Sequence, residues 1–325
     1  MNLVTKVVIG VLCVAPLTFP FIFAGSEEFP SWAFPVDPPA RPGPQAAKPK
    51  DDGKQFHVPD SDVALTRTEI EGGASVPDWH PDDHPPMPDI VKIGRPGVRA
   101  CAYCHMPNGM GRPESTSIAG LPETYIKHQV ENFKTGQRKG SAPDRALQKQ
   151  MIEIATKVSD ADVDAAAAYF SSLKLATFLK VVEADTVPKT VVEGGMQVKD
   201  PEGGTEPIGK RIIEVPDDLE RAQLRDSHTT YTAYVPKGSL DKGKTIVTTG
   251  GGKTTACATC HGPGLHGAGD VPHIAGRSPS YIIRQLYDIQ HNNRTGSVTF
   301  MQQVVQNLEP DDMIAVASYV ASLEP

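Results

Sequence analysis

Two pentapeptides constrain this chain more than anything else in it: Cys101-Ala-Tyr-Cys104-His105 and Cys257-Ala-Thr-Cys260-His261. Both read C-x-x-C-H, the spacing that attaches a c-type haem, in which two thiols form thioethers to the vinyl groups and the adjacent imidazole coordinates iron. Side chains three apart on one helical turn face one porphyrin edge, and the next residue lies beneath the ring. A redox C-x-x-C has no need of the following histidine, and neither motif follows a convincing βαβ strand. A zinc site needs two further ligands for each pair, or convergence of both pairs on one ion. The expectation is therefore two covalently attached haem c groups on Cys101, Cys104, Cys257 and Cys260, with His105 and His261 on the irons. Of the five cysteines only Cys13 is left over, in an apolar N-terminal stretch.

Laying the second motif on the first with an offset of 156 aligns more than the cysteines. Ile118-Ala119-Gly120 meets Ile274-Ala275-Gly276, Tyr125 meets Tyr281, Gln129 meets Gln285 and Arg138 meets Arg294. Removing six residues from the first copy then brings Met151 onto Met301, Tyr169 onto Tyr319 and Leu173 onto Leu323, with 18 residues from Met to Tyr in both. The closing segments have the spacing of amphipathic helices, the first capped by Ser159, the second carrying Pro310 in its first turn. Pro122 and Pro279 are placed to open earlier helices that bear the paired tyrosines.

In these residues the chain resembles the class I cytochromes c, specifically the tandem dihaem, c4-type group. The shared pattern is C-x-x-C-H, then I-A-G, a Tyr-bearing helix, a ligand Met and a final helix ending A-x-Y-x-x-S-L, over residues 90–175 and 236–325. The resemblance implies a mostly α fold of two cytochrome c-like helical haem domains in tandem. It also implies Met151 and Met301 as distal iron ligands opposite His105 and His261. A thioether opposite imidazole favours ferrous haem and suits electron transfer. In such domains a proline carbonyl holds the proximal imidazole. Pro272 fits that role, whereas the aligned residue in the first copy is Thr116, with Pro113 three residues earlier, and the choice there stays open. Met106 follows the first motif where Gly262 follows the second, so the haems are expected to differ in potential. Met106 and Met110 lie too close to His105 to reach the opposite haem face.

The rest of the chain divides around these domains. Residues 1–26 are expected to be a cleaved signal peptide: Lys6 precedes an apolar run over residues 7–24, and Ala24-Gly25-Ser26 offers the small residues a peptidase reads. An uncleaved membrane anchor is the alternative, which Pro16 and Pro20 disfavour. Residues 27–89 form a Pro-rich N-terminal arm, since 14 of the 30 prolines lie from Pro30 to Pro96. Within it His80, His84 and Met87 look like a metal cluster, yet proline stiffness and adjacent acids fit packing or a solvated turn instead. The first domain covers residues 90–175, an irregular interdomain connector 176–238, and the second domain 239–325. In the connector, a short strand is expected over residues 210–215 and a helix over 217–225.

These features predict a periplasmic carrier of single electrons between a dehydrogenase or quinol-oxidising complex and a terminal oxidase or other cytochrome. The haem carries the redox chemistry, so no catalytic residue is expected. Partners are redox-protein donors and acceptors, with a membrane-bound complex among them. A net charge of -7 makes nucleic acid a poor partner. The alternative is an electron-transfer subunit of a quinoprotein or flavoprotein dehydrogenase. A dihaem peroxidase needs an open iron position, against which the two matched methionines argue. A thiosulfate-oxidising enzyme with a distal cysteine finds no cysteine to spare.

Overall fold

The computed structural model describes residues 29–39, 52–72 and 75–325. The apolar run over residues 7–24, with Cys13 and the Ala24-Gly25-Ser26 site, lies outside them. Among the described residues no helix is long and apolar enough to cross a membrane.

Each motif is followed by helices whose ends are written in the local sequence. In the first domain these are Glu123–Lys134, Ala146–Lys157 and Asp160–Ser172. Pro122 sits at the first N-cap, and the Ser159 hydroxyl accepts the Asp162 N–H at the third, satisfying a donor the helix cannot. Ile126, Ala167 and Phe170 turn inward and join Ile90, Val91 and Ala119 in one apolar core. Tyr169 reaches from the closing helix to the Pro107 carbonyl at 2.7 Å, pinning it to the segment after the motif.

The second domain contains Ser239–Thr249, Pro279–Gln290, Thr299–Val305 and Pro310–Ala321. Ser278 caps the Tyr281 N–H, and a reciprocal Glu309–Asp312 capping box opens the last helix. Ser239–Thr249 packs directly on Pro310–Ala321, and Gly243 permits the approach: a Cβ there would lie 2.0 Å from the Ala315 carbonyl oxygen. The two helical haem domains expected from the sequence are thus present, each with its own core.

The connector differs from its expected irregularity. Seven strands lie between Leu179 and Pro236. Ile213–Pro216 pairs antiparallel with Tyr231–Pro236, which pairs parallel with Leu179–Ala184. Thr190–Glu193 and Met196–Lys199 form a hairpin across Gly194-Gly195, both with φ above +60°, the backbone a tight two-residue turn demands. The strand expected over 210–215 is Ile213–Pro216, and the expected helix contracts to Leu219–Gln223, capped by Asp218.

The described parts of the arm are packed into the rest of the molecule. Trp79, 1% exposed, is packed with Val58, Ile70 and Leu224, and its indole N–H donates to the Leu224 carbonyl at 2.8 Å. Ala33 and Phe34 join the second domain's core, and the Ala33 carbonyl accepts Arg284. Arm, connector and both domains therefore share buried contacts.

Candidate haem sites

The two motif turns are the short helices Ala102–His105 and Ala258–His261. In each, the cysteines flank one turn and the histidine closes it. His105 Nδ1 donates to the Thr116 carbonyl at 3.1 Å, and His261 Nδ1 donates to the Pro272 carbonyl at 2.8 Å. A carbonyl can only accept, so the proton sits on Nδ1 and Nε2 keeps the lone pair a metal requires. The acceptor lies 11 residues beyond the histidine in both copies. The question the first copy left open is answered by geometry: Thr116 serves, in a left-handed conformation at φ +72°, while the Pro113 carbonyl is occupied by Arg284.

Cys101, Cys104 and His105 line a cleft open to solvent, whose wall also contains Met151, Phe170 and Arg138. In the second domain Cys257, Ala258 and Met301 pack against one core cluster. None of the four described cysteines is in a disulfide. Burial pushes Cys101 up to about 12 and Cys257 up to about 11, the reverse of the lowered pKa that makes a redox thiolate. Burial also holds both histidines below the ordinary imidazole range, favouring the neutral ligand form.

The surroundings fit the rest of the group. Arg138, Arg145, Arg277, Arg284 and Arg294 are buried where the domains meet, with Glu114, Glu214 and Asp288 as the buried acids there. Arg138 and Arg145 line the cleft, and Nε of Arg145 and of Arg294 has no partner. Buried cations in excess of acids call for anions, and haem brings propionates.

The cytochrome c family model matches residues 98–174 and 240–324. The chain is 34% identical over 80 residues to cytochrome c-554(548) of Halomonas halodenitrificans, covering 90% of that protein and 24% of this one. The chain belongs to the cytochrome c family. Over longer spans this cytochrome is 27% identical to the thiosulfate dehydrogenase electron acceptor of Thiomonas intermedia (strain K12), across 70% of this chain and 80% of that one. It is 25% identical to cytochrome c4 of Pseudomonas aeruginosa, across 71% of this chain and 87% of that one. It is accordingly a dihaem electron-transfer cytochrome of the c4 type, with two covalently bound haem c groups.

His80, His84 and Met87 do not converge. His80 Nε2 bonds Asp226 at 2.9 Å and its ring stacks on His228 at 3.6 Å, while His228 Nε2 bonds Asp83. Arg221 occupies the other Asp226 oxygen at 2.6 Å. His84 is held by Asp78, which raises its pKa, and Met87 packs on the first core. His80 and Asp226 are thus committed to one another, Asp226 also to Arg221 and His228 to Asp83, joining arm to connector. Sequence reading missed Arg145, Arg277 and Arg284, because a buried arginine bonded to backbone carbonyls leaves no pattern along the chain.

Proposed function

We propose that this cytochrome is a periplasmic carrier that takes single electrons from a dehydrogenase or quinol-oxidising complex and passes them to a terminal oxidase or another cytochrome. The observation that carries the reading is the match between sites: each copy has C-x-x-C-H, an imidazole held through Nδ1 and a methionine on a helix 18 residues before the closing tyrosine. In this reading Met151 and Met301 fill the positions opposite His105 and His261. Bound haem supplies the one-electron couple. The chain's own work is to fix the imidazoles, exclude water with Phe170 and its neighbours, and hold buried arginines against negative charge. The apolar run over residues 7–24 supports export.

One finding favours a second reading in which the donor is a dehydrogenase that holds the chain as a subunit: the Thiomonas relative is named for accepting electrons from thiosulfate dehydrogenase. The arm and connector would then be the interface. Stopped-flow mixing of the holoprotein with hydrogen peroxide and with a small redox protein tests the carrier class. Fast electron exchange and negligible peroxide turnover are expected, even after one-electron reduction. Robust peroxide reduction with a high-spin haem in the half-reduced state overturns the reading. Purification of the native complex separates free carrier from subunit.

A further inference from the structure

Arg277 touches both haem sites at once. It is 2% exposed. Nε donates to the His273 carbonyl at 2.7 Å, Nη1 to the Ser117 carbonyl at 2.9 Å and the Ser117 hydroxyl at 3.1 Å, and Nη2 to the Ala119 carbonyl at 3.0 Å. None of these acceptors is a carboxylate. Burial lowers its pKa only to about 10, so the group is a cation at neutral pH with its charge left uncompensated by its hydrogen-bond partners.

The position of those acceptors is what matters. Ser117 follows Thr116, whose carbonyl takes the His105 proton, and His273 follows Pro272, whose carbonyl takes the His261 proton. One guanidinium therefore bonds the peptide unit next to each histidine-holding carbonyl. Thr116 also stands at φ +72°, a conformation that a non-glycine residue keeps only when its surroundings hold it. Two bonds from Arg277 to Ser117 hold the adjoining residue.

The geometry points to Arg277 as a positioning residue shared by both haem sites, orienting the two histidine-holding loops and setting both haem potentials together. The inference rests on the reading of His105 and His261 as iron ligands. Its electrostatic sign is fixed. Ferric haem carries one more positive charge than ferrous haem, and a buried cation in a poorly screened interior disfavours that extra charge. Arg277 thus raises both potentials. A clasp that merely joined the domains would affect unfolding and leave the potentials where they are.

Spectroelectrochemical titration of the holoprotein and of Arg277→Gln reads this directly. Both midpoints are expected to fall by about 59 mV, a tenfold shift in each one-electron equilibrium constant, with low-spin spectra retained. Arg277→Lys keeps the charge and should recover at least half of the shift. An unchanged midpoint at either haem of folded Arg277→Gln overturns the inference. Should that variant not fold, the guanidinium N–H resonances of wild-type Arg277, assigned by their loss in Arg277→Lys, give the second readout. They should move in both one-electron steps, and a response to one step alone is equally fatal. Failure of the underlying site reading looks different: the wild type itself would then lack two low-spin couples.

Discussion

Arg138 and Arg294 meet across the domain seam as the two residues of an isolated antiparallel bridge, and their guanidinium groups exchange partners. Arg138 donates to Gln129 at 3.0 Å in its own domain, and to Gln285 at 2.9 Å and Tyr281 at 3.2 Å in the other. Arg294 donates to Gln285 at 2.9 Å in its own domain, and to Gln129 at 3.0 Å and Tyr125 at 2.8 Å in the other. These are the residues that share a register in the two halves of the sequence. Duplication has thus placed like against like, so that one surface is its own complement, as in an isologous dimer.

That exchange predicts strong coupling. Arg138→Gln or Arg294→Gln alone leaves buried amide and phenol oxygens short of donors, and each is expected to lower stability by about 1–3 kcal/mol. Because both cations share Gln129 and Gln285, the double variant should depart from additivity by about 0.5–3 kcal/mol. Urea unfolding of the four proteins closes the cycle; additive losses would mean the two arginines act separately.

The part of the molecule legible in sequence is the part encoded by local chemistry. C-x-x-C-H fixes a turn, Ser159 and Pro310 fix helix starts, and the paired Tyr, Gln and Arg positions repeat at one offset. The hairpin at Gly194-Gly195 also had a local signal, β-branched residues before a glycine pair and apolar-polar alternation after it, which the connector's overall irregular composition obscured. The parallel pairing of Leu179–Ala184 with Tyr231–Pro236 had none, because its register is settled by burial between residues some 50 positions apart. Arg277 was illegible for the same reason: three of its four acceptors are backbone carbonyls, up to 160 residues away, and a carbonyl carries no sequence identity.

Opening one iron position at a time separates the two sites. Met151→Ala and Met301→Ala should each introduce cyanide binding at a single haem and remove about half of the near-infrared sulfur-to-iron band, leaving the other haem as in the wild type. Methionine to histidine at the same positions should lower that haem's potential without opening it. If Met301→Ala changes neither band nor ligand binding, another residue faces that iron.

Covalent attachment gives a chemical readout. Wild-type holoprotein should retain both haems through acid-acetone extraction, because thioethers survive it. The double variant Cys257→Ala, Cys260→Ala should release one haem and keep the other, as counted by denaturing mass spectrometry. Retention of two haems by that variant would place the second attachment elsewhere.

Glu214 supplies a pH-dependent test of how the connector holds the second domain. It lies on Ile213–Pro216 at 1% exposure, where Oε2 accepts the Ser278 hydroxyl at 2.7 Å and the Ser280 N–H at 3.2 Å, at the start of Pro279–Gln290. Oε1 has no partner. Burial raises its pKa above 4.5, and the bonds from Ser278 and Ser280 and the charge of Arg284 only partly oppose that rise. The native state therefore keeps a proton that the unfolded chain gives up near 4.5. This contribution to stability is fully present below that pH and is lost as pH rises through the higher folded value. Glu214→Gln mimics the protonated acid, so its stability relative to wild type should climb across the same window and level off above it. Glu214→Ala also removes the acceptor from Ser278 and Ser280, and should cost about 1–3 kcal/mol at low pH, where charge burial no longer contributes. Denaturant unfolding of the three holoproteins, from below pH 4.5 to neutrality, compares them. A constant difference between Glu214→Gln and wild type across that range would show that Glu214 does not change its protonation between the folded and unfolded states.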